Sequence, residues 1–194
     1  MSALEQVKHH LREGEVYRRA DLEQWSNAVD RHLHQLQEEG VLVKLSGGMY
    51  YRPKMTAFGA TPADDETLVE AFLKDHRFLL TSPNLYNALG LGMTQLYNET
   101  VVYNHKRHGQ FKLGGRTFRF AMKPHFPSKP TPEFLLVDVV NNLGQLAEDR
   151  EQVLKQVQKK ALSMERIILA KAVRDYGGAR AKKVFAKLLS TDTM

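Results

Sequence analysis

KLSGGMYYRPK, residues 44–54, sets a double glycine between two apolar stretches, with Val41-Leu42-Val43 ahead of it and Met49-Tyr50-Tyr51 inside it. Such a segment could be a phosphate-cradling loop, a solvent hairpin or the tip of an element that touches nucleic acid. A phosphate loop needs a strand on one side and a helix N-terminus on the other. Here strand-forming residues stand on both sides, and Pro53 closes the second run. The stretch therefore reads as a hairpin: a strand over 41–45, a turn at 46–48 and a strand over 49–52, with Gly47-Gly48 supplying the positive φ of a tight turn. Alternation along the second strand predicts that Met49 and one of the two tyrosines pack the hairpin onto the preceding helix.

Toward the N-terminus, Ser2 and Glu5 have capping-box spacing and Leu4, Val7 and Leu11 recur at helical period, predicting a helix over 3–13 that stops at Gly14. An extended piece follows at 16–17, then a short helix over 20–25. Ser26 is placed to cap a third helix, NAVDRHLHQLQEE, whose buried stripe is Val29, Leu33 and Leu36 and whose end is Gly40. Helix, strand, helix, turn, helix and hairpin is the order of a winged helix-turn-helix, so residues 1–56 are expected to form a DNA-binding domain. Asn27, Arg31 and His34 point away from the apolar stripe, Ser26 and Ala28 sit at its N-terminal tip, and Gln35 lies on the flank. A recognition helix meets base edges with its N-terminal half, and Asn, Arg and Gln can pair bidentately with adenine or guanine. Lys44 and Arg52 flank the hairpin as its expected phosphate contacts.

Toward the C-terminus, KMTAFGAT at 54–61 is weakly patterned and reads as a linker. Residues 57–194 then form a second, mixed domain. Thr61 with Pro62 and Asp64-Asp65-Glu66 marks a helix start. A strand over 78–81, a short helix from Ser82-Pro83 to Gly90, and strands near 100–104, 110–113 and 116–122 follow, the last pair turned by Gly114-Gly115. Helices are expected over 131–146, 148–161, 163–176 and 178–189. The fold class is α+β: an N-terminal winged helix-turn-helix, then a small antiparallel sheet and C-terminal helices.

The chain has a formal net charge of +6 over 194 residues, and its distribution is uneven. Eight basic and eight acidic residues fall in 1–56, nine and ten in 57–149, and eleven and four in 150–194. Lys155, Lys159, Lys160, Arg166, Lys171, Arg174, Arg180, Lys182, Lys183 and Lys187 all fall on the expected C-terminal helices, where too few acids remain to pair with them. Such a surface suits a polyanion and would bind it with steep salt dependence.

Other chemistries find little support. With no cysteine there is no disulfide, thiol nucleophile or Cys-based zinc site. His105 and His108 lie in a hairpin loop without a neighbouring carboxylate, and His9-His10 and His32/His34 cannot share a coordination site on a helix. No nucleophile elbow, glycine-rich loop followed by lysine, dinucleotide fingerprint or zinc-protease helix occurs, so neither an enzyme, a cofactor nor a metal is expected. No run reaches the roughly 20 apolar residues of a membrane span, and residues 1–15 lack an apolar signal core, so the chain is expected to be cytoplasmic with no membrane partner.

EEGVLVKLSGGMYYRPK, following a helix-turn-helix, resembles the glycine-tyrosine signature of the AbiEi-type antitoxins and related regulators of type IV toxin–antitoxin systems. FLLTSPNLYNALGL at 78–91 and ETVVYNHKRHGQFKLGGRTFRF at 99–120 are similar to that family's later strand, Ala-x-x-Leu-Gly-Leu helix and paired strands, so the resemblance covers about residues 1–145. It implies a bacterial two-domain protein whose winged helix binds double-stranded DNA at inverted repeats in its own promoter. It further implies a second domain that counteracts a nucleotidyltransferase-like toxin without needing a stable complex. By position, the recognition helix would span 27–39 and the wing 44–52. Ser46 and Gly47 depart from the family, which often has a basic residue just before the wing glycine. The neutral charge of 1–56 keeps another class open: an interaction module whose basic C-terminal helices grip RNA or an acidic protein, without operator recognition.

Overall fold

The computed structural model describes residues 2–190. The chain is α+β and folds into two compact units. One takes the residues up to His76 together with Gln110–Phe118, and the other takes Arg77–Gly109 with Arg119 onward. This division differs from a break at residue 56, because the chain does not run free after the hairpin.

The first unit begins with α1 (Ala3–His10), whose N-cap Ser2 accepts the Glu5 amide hydrogen at 3.1 Å. It stops short of the expected residue 13: Leu11 is already extended and 4% exposed, and the guanidinium of Arg52 donates to the carbonyls of Lys8 (3.3 Å) and Leu11. Next come β1 (Val16–Arg18), α2 (Arg19–Glu23) and α3 (Val29–Glu38), then β2 (Val43–Ser46) and β3 (Met49–Tyr51). The three strands form an antiparallel sheet in the order β1-β3-β2, with Val16 and Val43 both opposite Tyr51 and an irregularity between Lys44 and Ser46. Met49, Tyr50 and Tyr51 are all buried, because β3 is the central strand. Tyr50, rather than Met49, joins the core of α1–α3 with Val7, Leu22, Leu33, Leu36 and Leu42. Full burial of each such aliphatic side chain is worth about 1.5–3 kcal/mol.

Residues 54–61 are not a linker. They form a hairpin, β4 (Lys54–Thr56) against β5 (Gly59–Thr61), turned at Gly59 (φ +104°), where Thr56 Oγ1 donates to the Gly59 carbonyl and accepts the Phe58 amide hydrogen. Its strands are too short to show a period. Thr61 consequently ends a strand, and the next helix, α4 (Asp65–Leu73), is capped by Asp64, which accepts from the Thr67 amide at 2.7 Å. That amide holds the Asp64 carboxyl below its ordinary range.

In the second unit, β6 (Phe78–Thr81) pairs antiparallel with β7 (Thr100–Asn104). Between them a 3₁₀ helix spans Pro83–Leu89, with Ser82 as N-cap and Gly90 left-handed at its end. β8 (Gly109–Leu113) and β9 (Arg116–Met122) complete the sheet order β6-β7-β9-β8. At the tip of that hairpin, within the first unit, Arg116 pairs with Asp65 (2.6 Å) and the Gly114 amide donates to the Leu45 carbonyl. The helices are α5 (Pro132–Asn141), α6 (Arg150–Ala161), α7 (Arg166–Tyr176) and α8 (Ala179–Ser190). Every residue of α5 from Phe134 to Val140 is buried, making it the hub of this unit's core with Val157, Leu169 and Phe185.

The helix expected over 131–146 breaks at Asn142, and the cause is a buried polar cluster. Tyr86 donates to Asp138 at 2.7 Å and Tyr103 at 2.9 Å, while the Asn142 amide donates to both hydroxyls and to the Asp138 carbonyl. Burial pushes the Asp138 carboxyl up, against the tyrosine hydroxyls that pull it down, and burial beside Asp138 raises both phenols, which stay neutral donors. Both hydroxyls, the Asp138 carboxylate and the Asn142 amide nitrogen have partners, so the cluster fixes α5, the 3₁₀ helix and β7 relative to one another.

Asp138→Ala strips both buried hydroxyls of their acceptor and should cost about 3 kcal/mol in urea unfolding. Asp138→Asn tests the charge. Because the folded carboxyl is raised, its favourable contribution is complete below the ordinary carboxyl range and is lost as pH rises from about 4 through the raised value. The stability of Asp138→Asn relative to the native chain should therefore increase over that rise; a constant difference would contradict it. Arg52→Ala, which frees the α1 carbonyls, should lower stability by about 2 kcal/mol in the same assay.

Candidate nucleic-acid interface

The approach to α3 is set by a local polar network. Ser26 does not cap the helix: its Oγ accepts the Ala28 amide hydrogen (3.1 Å) and bonds Nδ1 of the buried His32 (2.7 Å). Ala28 is the N-cap, without a side-chain bond, and the helix starts at Val29 rather than 27. Asn27 and Ala28 therefore lie in the turn between α2 and α3. A two-pronged contact ties those helices together: Arg19 Nε and Nη2 donate to the two Asp30 oxygens at 2.8 Å each, and Arg19 also reaches Glu23. The guanidinium holds the Asp30 carboxyl below its ordinary range, and the pairing raises Arg19 further.

Val29, His32, Leu33 and Leu36 are buried, so the opposite side of α3 is the one left to solvent. Arg31 is exposed there and Asn27 is exposed in the turn before the helix, and neither has a hydrogen bond or ion pair among the described residues. His34 is exposed and lies 3.3 Å from Glu38 of the same helix, and Gln35 is half-buried. On the hairpin, Lys44 is exposed opposite Tyr50. Arg52 is not free to meet a phosphate: its guanidinium is turned onto the end of α1, which the bare sequence does not signal.

The C-terminal cations are spread over three helices. Lys155 and Lys159 on α6 are exposed and Lys160 half-buried, without ion pairs among the described residues. On α7, Lys171 and Arg174 share Asp175 (2.8 and 3.0 Å), lowering its carboxyl, and Arg166 donates to the Leu189 carbonyl. Arg180, Lys182, Lys183 and Lys187 are exposed on α8. No acid stands in the first turn of α8. Among the described residues no group of three or more His, Asp or Glu could hold a metal, and no helix is long and apolar enough to cross a membrane.

The sequence passed over the Asp138 cluster and a basic cleft beside the α7–α8 turn. An aspartate inside the apolar run FLLVDVV, residues 134–140, was the available signal for the first. Lys123 and His125, which line the second, carry no motif.

No curated protein matches the sequence. Among solved structures, the RV2827C protein from Mycobacterium tuberculosis is similar in fold, with a TM-score of 0.58 over 96% of this chain and 74% of that one at 14% identity. A family model matches residues 4–166, and by that match the chain belongs to DUF6088, a family of unknown function.

Proposed function

We propose that residues 1–56 act as a winged helix-turn-helix and that the protein is a sequence-specific, DNA-binding regulator of the type IV antitoxin kind. It would repress its own operon at inverted repeats and counteract a nucleotidyltransferase-like toxin without a stable complex. The observation that supports this most is the state of α3. One side is locked into the core of α1–α3 and the central strand, while two base-reading residue types stand exposed and unpartnered, Arg31 on the other side and Asn27 in the turn before the helix. The Arg19–Asp30 contact presets the angle between α2 and α3, so little ordering would remain to be done on binding. Lys44 is the remaining phosphate contact on the hairpin, leaving most of the backbone attraction to the C-terminal lysines.

A second reading, a module for RNA or an acidic protein, is favoured by two observations. The N-terminal segment has no net charge, and Arg52 is engaged within it. The two readings separate in one set of binding measurements on the full chain. Asn27→Ala with Arg31→Ala should cut affinity for the operator about 10- to 100-fold while leaving affinity for random duplex unchanged. Lys155→Glu, Lys159→Glu and Lys160→Glu together should weaken binding on any sequence and flatten its dependence on salt by roughly one unit for each phosphate no longer neutralised. Unaltered operator affinity in the first variant, with RNA binding abolished in the second, would favour the second reading.

A further inference from the structure

Beside the turn between α7 and α8, the second unit carries an open cavity of about 550 Å³. Lys123, Arg174, Arg180 and Lys182 line it together with His125, against a single carboxylate, Asp175. That carboxylate is already occupied by Lys171 and Arg174. Arg180 and Lys182 have no ion pair among the described residues, so their charge is uncompensated.

The turn beneath these cations is rigid. Asn141 of α5 donates to the Tyr176 carbonyl at 2.9 Å and accepts the Gly178 amide hydrogen at 2.8 Å, clamping the turn from both sides. A Cβ on Gly177 would stand 2.4 Å from the Val173 carbonyl oxygen, and one on Gly178 would stand 3.1 Å from Asn141 Oδ1. The same close packing sets the backbone of the turn from which α8 starts, and Arg180 and Lys182 project from its first residues.

A second cavity of about 500 Å³ adjoins the first, the two sharing Pro124, His125, Arg174, Asp175 and Tyr176 in their linings. What the second adds is aromatic: His105 and Phe126, whose rings stack with centroids 4.7 Å apart and planes 27° from parallel. The cleft is thus cationic at one end and aromatic at the other, and each part falls within the roughly 300–1,000 Å³ range of small-molecule sites. Guanidinium and ammonium groups match phosphate oxygens, and flat rings accept a base by stacking whatever its identity.

We propose that this cleft binds a nucleoside phosphate, with the phosphate among Arg174, Arg180 and Lys182 and the base against Phe126 and His105. The ligand is either a free nucleotide or the phosphorylated end of a nucleic-acid strand. This binding does not depend on duplex recognition by α3.

Titration calorimetry on the full chain, with ADP, adenosine, inorganic phosphate and a 5′-phosphorylated dithymidine as ligands, tests it. ADP or the dinucleotide should bind at least tenfold more tightly than adenosine or phosphate, and which of the two binds better identifies the source. Arg180→Glu with Lys182→Glu should weaken that binding at least tenfold, and Phe126→Ala should bring ADP down toward the affinity of phosphate. Melting temperatures should confirm that these variants remain folded. Asn27→Ala with Arg31→Ala should bind ADP as the native chain does, so a failed operator assay leaves this result standing. Three results would overturn the proposal: no binding of either phosphorylated ligand at millimolar concentration, binding unaffected by the charge reversals, or phosphate binding as tightly as ADP.

Discussion

The N-terminal unit depends on a strand that has no solvent face. β3 lies between β1 and β2, and its three residues, Met49, Tyr50 and Tyr51, are all buried. Tyr50 enters the core of α1–α3, so the sheet and the helices cannot be separated without exposing that core to water. Successive strand residues point to opposite faces, and a slip of one residue would put Met49 or Tyr51 where Tyr50 belongs. The register of the sheet therefore fixes which side of α3 is consumed by the core. The side left over holds Arg31, with Asn27 in the turn just before the helix, and the exposure of Arg31 follows from packing elsewhere.

The second unit uses a polar constraint instead. α5 is apolar nearly all round and could slide along its axis or rotate at small cost, were it not for Asp138. Two tyrosine hydroxyls and the Asn142 amide accept only one placement of that carboxylate, and the helix ends where Asn142 turns back to complete the set. Asn141, one residue earlier, clamps the α7–α8 turn. Adjacent asparagines at the end of one helix thus govern the buried network on one side and the basic cleft on the other.

Elements with a clear period and a clear stop were legible in the sequence. The strands at 78–81, 100–104 and 116–122 coincide with the structure, and the Ser82-Pro83 start and Gly90 stop do as well. What escaped was decided by contacts far along the chain. Arg52 reads as a wing cation until the end of α1, more than forty residues upstream, is placed beside it. The hairpin at 54–61 has strands of three residues, too short for alternation to show. Ser26 and Thr61 have the chemistry of helix caps, but a histidine ring and a neighbouring strand took them. The cleft residues come from segments near 105, 125, 141, 174 and 180, and only the fold brings them together.

The central claim is that the exposed side of α3 reads duplex DNA at the promoter of the protein's own operon. Hydroxyl-radical footprinting of the purified full chain on that upstream DNA, across a range of salt concentrations, tests it most directly. The account predicts two protected half-sites related by inversion and spaced by about 10–10.5 base pairs or a multiple of it, persisting at salt concentrations that abolish protection of unrelated sequence. Uniform, sequence-independent protection at low salt that vanishes everywhere together would contradict it.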